Sequence, residues 1–184
     1  MKNKCMKKAS MTKQHLFSGL LLGSLLWQSA AFAGNPQASI VEAAMPWQNQ
    51  TFEQGKAEQC MNWTRTVLRQ ACGEKFASLQ SAQPWDLAQL GPGDKLQPEH
   101  ADSLAADEFG TKIESVNALQ AGDLVFLQNT YGNWNKGVIT HVGIATGDGN
   151  YIHRMTSNAG YVRIEPIPAA DFHAGLRLKP ELCQ

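Results

Sequence analysis

Two kinds of hydrophobic patterning divide this chain. Residues 16–27 form a nearly continuous apolar run, whereas from about residue 60 onward the apolar positions recur at defined periods. In residues 60–72, Cys60, Trp63, Val67 and Ala71 share one face at helical spacing and Asn62, Arg65, Arg69 and Gly73 share the other. This predicts an amphipathic helix with Gly73 as its C′ residue. After residue 120 the period changes. Short apolar runs at 124–127, 139–146, 151–155 and 161–165, separated by Gly-rich or Asn-rich turns, predict the strands of an antiparallel meander. Between helix and strands the sequence says less. Gly91-Pro92-Gly93-Asp94 is turn chemistry, and residues 98–109 predict a short helix with Pro98 in its first turn and Gly110 as its stop. A helix followed by a sheet makes an α+β fold, with the 60–72 helix packed on one face of the meander.

The apolar run near the start belongs to a different kind of segment. Lys2, Lys4, Lys7, Lys8 and Lys13 precede it, and Ala31-Phe32-Ala33 follows with small residues at both cleavage-determining positions, so residues 1–33 read as a secretory signal peptide with Gly34 as the new N-terminus. A membrane anchor fits less well, because Ser18, Gly19, Gly23, Ser24, Gln28 and Ser29 dilute a run that would need ~20 predominantly apolar residues. No cysteine sits just after the cleavage site to carry a lipid, so no stable membrane anchor is expected and the product is secreted or periplasmic. Cleavage also changes the charge: losing five lysines leaves eleven basic residues against sixteen acidic ones, a formal charge of −5. Such a balance argues against nucleic acid as a partner. The remainder suits one domain at 58–184, preceded by a polar stretch at 34–57 expected to begin as a loose arm.

Three cysteines survive processing, Cys60, Cys72 and Cys183, in a compartment that permits disulfides. Twelve residues of helix would separate Cys60 from Cys72 by roughly 18 Å, and a disulfide needs Cα atoms within ~7 Å. Cys72 is therefore expected to pair with Cys183, which leaves Cys60 as a thiol. Cys60 opens the helix, where unpaired amides and the positive end of the helix dipole favour the thiolate.

His141 and His153, on consecutive predicted strands, supply the residue types a thiol nucleophile needs as base and as orienter of the base. Whether they meet depends on the turn between them. With a two-residue turn at Asp148-Gly149, His153 faces Ile144 and lies on the opposite side of the sheet from His141. With a three-residue loop, Gly147-Asp148-Gly149 with Gly149 left-handed, His153 faces Gly143 and lies diagonal to His141 at roughly 7–8 Å. In that register Gly143 leaves the space between the two rings empty.

Leu119-Gln120-Ala121-Gly122-Asp123-Leu124-Val125-Phe126, His141-Val142-Gly143-Ile144 and Gly147-Asp148-Gly149-Asn150-Tyr151-Ile152-His153 resemble the NlpC-type family of papain-like cell-wall peptidases. The resemblance implies a papain-like fold in which Cys60 is the nucleophile, His141 the base and His153 the orienter. It implies acyl transfer without metal or other cofactor, on the stem or cross-link peptides of peptidoglycan. In that family the cysteine usually sits in Asp-Cys-Ser-Gly, where this chain has Gln59-Cys60-Met61-Asn62, a sequence closer to the CHAP amidase relatives of the same architecture. The family's upstream tyrosine near the oxyanion is also missing. An oxyanion hole of the Cys60 amide with the Gln59 or Gln54 side chain is expected instead. Tyr131 and Trp134, in the loop before the histidine strand, are placed to wall a substrate cleft. Two alternatives use the same residues: an amidase toxin, which would bring an inhibitor or immunity protein as partner, and a cell-wall peptide-binding module without catalysis. A zinc site on Cys60, His141 and His153 is disfavoured because close-set ligand pairs are missing from the sequence.

Overall fold

The computed structural model describes residues 35–54, 59–85, 100–132, 137–154 and 160–183. The leader at 1–33, the 91–94 turn, Pro98 and Trp134 lie outside the described residues. The polar stretch expected to start as a loose arm instead forms a helix, α1 (Pro36–Ala44). Asn35 caps it by accepting from the Gln37 amide at 3.1 Å, and Pro36 occupies its first turn, where a missing N–H costs nothing. Ile40 and Ala44 are fully buried. These two positions are four residues apart, enough to dock one narrow apolar stripe in a segment that otherwise reads as polar.

The cysteine helix is α2 (Gln59–Cys72), and it ends as expected at Gly73, whose φ of +86° suits the left-handed position after a helix. Cys60, Trp63 and Val67 are buried, and so are Met61, Thr64 and Leu68, so the apolar stripe is broader than the sequence spacing shows. Arg65, expected on the polar face, is also buried and donates to Ser103 Oγ at 2.9 Å. Ser103 lies in a 3-10 turn (Ala101–Leu104) where a helix over 98–109 was expected. Gly110 does not stop a helix but begins strand β1 (Gly110–Ile113), where a Cβ would collide with the Arg177 carbonyl of the neighbouring strand.

The sheet has six antiparallel strands. After β1 come β2 (Leu124–Gln128), β3 (Ile139–Ala145), β4 (Asn150–Arg154), β5 (Val162–Pro166) and β6 (Phe172–Leu178), in the spatial order β1-β6-β2-β3-β4-β5. The meander therefore covers β2 to β5, and β6 departs from it by returning to lie between β2 and β1. The alternation of β2 to β4 sorts side chains between two sides. Phe126, Val142, Ile144 and Ile152 pack with Trp63, Val67 and Leu68 beneath the helices, while Val125, Leu127, Ala145, Tyr151 and Ile167 form a smaller cluster on the other side.

Two ties fix α2 to this frame. Cys72 is bonded to Cys183, joining the end of the helix to the C-terminal segment. Ahead of α2, residues 49–52 pair with the outer edge of the sheet: the Asn49 amide donates to Val162 O, the Val162 amide to Gln50 O and the Phe52 amide to Gly160 O. Arg154 Nε, at the end of β4, donates to Phe52 O at 3.0 Å. The approach to the cysteine helix is thus held against β4 and β5.

Candidate active site

The β3–β4 hairpin has the longer of the two turns considered. Ile144 pairs with Ile152 and Ala145 with Tyr151, and the Thr146 amide donates to Asn150 O, leaving Gly147-Asp148-Gly149 as the loop. Both glycines are left-handed, at φ +91° and +82°. Asp148 accepts from Thr146 Oγ1 and the Asn150 amide, hydrogen bonds that hold its carboxyl below the usual range. A second irregularity lies at the other end of β3. Leu127 pairs with His141 but Gln128 pairs with Ile139, so Thr140 is an extra residue directly before the histidine. Such a bulge re-aims the side chains beside it. Thr140 is anchored by Thr130, whose amide donates to Thr140 Oγ1 at 3.0 Å.

This register brings the histidines together. His141 Nε2 and His153 Nδ1 are 2.8 Å apart, with the rings nearly perpendicular at 88°. The space over Gly143 is not empty, as expected, but filled by Tyr151. Its ring stacks on His153 at 4.1 Å and 9°, and a Cβ at Gly143 would come within 2.6 Å of Tyr151 Cδ2 and 2.9 Å of His153 Cβ. Only glycine lets both rings lie against the strand. Tyr151 also meets His141 edge-on at 6.3 Å.

Beyond the pair stands a carboxylate. His153 Nε2 lies 3.3 Å from Glu165 Oε2 on β5. His153 pairs with Arg163 and Tyr151 with Glu165 across β4 and β5, so Glu165 is diagonal to His153 on the same side of the sheet. Neither Glu165 nor Tyr151 was singled out from sequence. The signal was there in the strand alternation: 151, 153, 163 and 165 share parity with the β4–β5 register.

Burial dominates the electrostatics. It pushes His141 down to about 3, with the charges of His153 and Arg154 acting in the same direction. It pushes His153 down to about 4, against the opposing pull of Glu165. Both rings are therefore neutral near pH 7. The Tyr151 phenol is held far up, first by burial and then by the neighbouring Glu165 carboxylate, and stays protonated. His141 Nδ1, the ring nitrogen not facing His153, is buried and meets no hydrogen-bonding partner among the described residues.

Cys60 is the buried cysteine outside the disulfide, at the second position of α2. A thiolate at Cys60 would raise the Tyr151 phenol, which puts the thiol in the electrostatic neighbourhood of the ring cluster. Gln59 and Gln54 are engaged with each other: the Gln54 amide donates to Gln59 Oε1 at 3.0 Å and Gln59 Nε2 donates to Gln54 O at 2.9 Å. Asn62 Nδ2 donates to the same carbonyl. Both ends of the Gln59 carboxamide thus brace the entry to α2. Gln54, Asn62, Arg65, Thr66 and Arg69 line a polar hollow of about 240 Å³ along the helix. Tyr131 is half-buried at the end of the described part of its loop. The cluster can accept a proton at His141 and pass its polarity through His153 to Glu165.

Among solved structures, the NlpC/p60 domain of peptidoglycan hydrolase SagA is similar at 24% identity and a TM-score of 0.49, covering 77% of this chain and 98% of that one. NlpC2 from Trichomonas vaginalis is 16% identical with a TM-score of 0.49, over 83% of this chain and 49% of that one. An NlpC/P60 family protein from Bacillus cereus is 20% identical with a TM-score of 0.49, over 77% and 40%. No curated protein sequence matches the chain. The model of the NlpC/P60 family matches residues 47–171, which takes in α2, the whole β1 to β5 stretch and both histidines. This chain belongs to the NlpC/P60 family.

Proposed function

We propose that the protein is a secreted cysteine hydrolase that cleaves peptide or amide bonds of peptidoglycan, with Cys60 as nucleophile, His141 as base and His153 as orienter. The mature chain begins at Gly34 and needs no cofactor. The observation that carries this reading is the bond between His141 Nε2 and His153 Nδ1, which occupies one nitrogen of the base and leaves the buried Nδ1 to serve the thiol.

His141 Nδ1 takes the proton from Cys60 Sγ, and the thiolate attacks the carbonyl carbon of the scissile bond. The oxyanion that forms lies at the start of α2, where first-turn amides, that of Cys60 among them, have no partner within the helix. The His141 imidazolium then gives its proton to the leaving nitrogen, and the amine departs from the acyl-thioester. Water, deprotonated by the same ring, attacks the thioester; the acid leaves and the Cys60 thiol is restored. In this account the Cys60 amide lines the oxyanion site, the Gln59 carboxamide being bound at both ends to the Gln54 backbone instead of serving as the expected donor, and Tyr131 and Trp134 wall the cleft.

Digestion of purified peptidoglycan by the mature protein, beside Cys60→Ala, tests the proposal by mass spectrometry of the soluble fragments. The expected result is a set of new amine and carboxyl ends that appears only with Cys60. Equal products from both proteins would defeat the enzyme reading, and binding without products would favour a peptide-binding module.

A further inference from the structure

We infer that Glu165 is a positioning residue that sets the tautomers of both histidines, and so decides which nitrogen of His141 carries the lone pair. This inference rests on the catalytic reading of Cys60 and His141. A carboxylate only accepts hydrogen bonds, so at 3.3 Å from Glu165 Oε2 the His153 Nε2 must bear the hydrogen. His153 is neutral, held down to about 4 by burial, so its Nδ1 has a lone pair and no hydrogen. At 2.8 Å from that lone pair, His141 Nε2 must donate. His141 is neutral as well, which leaves its Nδ1 unprotonated. The buried imidazole nitrogen without a partner among the described residues is therefore the one that must take the thiol proton.

Run in reverse, the same chain disables the site. If His153 carried its hydrogen on Nδ1, it would donate to His141 Nε2 and force the hydrogen of His141 onto Nδ1, where no lone pair would remain for Cys60. Nothing in the two buried rings alone selects between these arrangements, since either satisfies the 2.8 Å bond. Tyr151 packs its ring face on His153 and so fixes the plane of that imidazole, not its proton. The carboxylate at the outer end breaks the tie. Glu165 is suited to this because its side chain is 41% exposed while that of His153 is 6% exposed. It stands at the solvent boundary and directs an acceptor oxygen at a ring almost wholly shielded from solvent.

The test is histidine tautomer assignment by long-range ¹H–¹⁵N correlation at pH 7, alongside kcat and KM on peptidoglycan fragments. The native protein is expected to show both rings as Nε2–H. Glu165→Ala is expected to show a mixture with Nδ1–H forms and to lose at least about 10-fold in kcat with KM unchanged, since a wrong base tautomer blocks proton transfer without affecting substrate binding. Glu165→Gln keeps an acceptor oxygen and is expected to restore the Nε2–H forms and most of kcat. Native tautomers in Glu165→Ala overturn the inference, and so does a native kcat in that variant. If no Cys60-dependent product exists at all, the tautomer measurement still decides the role of Glu165, so the two failures are separable.

Discussion

The two sides of the β3–β4 hairpin are built from alternate residues of the same strands, yet they obey different rules. Toward the helices, Val142, Ile144 and Ile152 meet Trp63, Val67 and Leu68 in an apolar core. On the other side Tyr151 and His153 stack over Gly143, His141 meets both edge-on, and the row ends at Glu165. The first side can exchange one methyl for another at modest cost. The second is specified atom by atom, because three of the four imidazole nitrogens each have one partner in the row from His141 to Glu165. A strand pair can therefore carry stability and chemistry together, provided the register stays fixed; a slip of one residue would exchange the two sides.

Substitutions on each side should separate the two properties, beginning with the largest effect. His141→Ala is expected to lower kcat by about 10³-fold or more, because in the proposed mechanism base and nucleophile act as one unit, with thermal melting shifted by only a few degrees. On the core side, Ile152→Ala should cost about 2–5 kcal/mol in urea unfolding through the cavity it leaves, while kcat per folded molecule stays near native. If Ile152→Ala lost catalysis without losing stability, the division between the sides would fail.

Replacing Cys72 and Cys183 by serine should destabilise by about 2–5 kcal/mol, since the bond closes a loop of 111 residues in the unfolded chain. Its effect on kcat should be small. Gly143→Ala tests both sides at once: the added methyl pushes on Tyr151 and His153, so about 1–3 kcal/mol of overpacking strain should appear together with a loss of kcat. A stable and fully active Gly143→Ala would show that the rings are not held as described.

A different kind of effect is expected in pH. Both histidines titrate lower in the folded protein, at about 3 and about 4, than the ordinary 6.5. Between those values the unfolded chain binds protons that the folded one refuses. Their contribution to stability is therefore complete above about 6.5 and is lost as pH falls toward 3 to 4. Urea midpoints at pH 7, 5.5 and 4 should decline, and the decline should be shallower in a variant with both histidines replaced by glutamine.

The helix side was the more legible in the sequence. Cys60, Trp63 and Val67 at helical spacing located α2, Gly73 ended it, and the helix length itself separated Cys60 from Cys72. The hairpin register could be reduced to two outcomes, and the pairing of Ala145 with Tyr151, with Gly147-Asp148-Gly149 as the loop, chose between them. What escaped was long-range. Strand β6 inserts between β1 and β2, and no local pattern encodes a neighbour about fifty residues away. Gly110 read as a helix stop because its actual constraint is the Arg177 carbonyl of β6. Arg65 read as a surface residue because Ser103, its partner, comes from a segment without periodicity. Tyr151 and Glu165 escaped for another reason: a strand tyrosine and a strand glutamate are ordinary until the register shows what they face.

In the proposed mechanism His141 draws the proton from Cys60. The rate of Cys60 alkylation by iodoacetamide at pH 7, followed by intact mass in the native protein and in His141→Ala, tests it most directly. Single-site modification of the native protein at least about 10-fold faster than of His141→Ala is the result expected for a thiol activated by its base. Equal rates in the two proteins would contradict it.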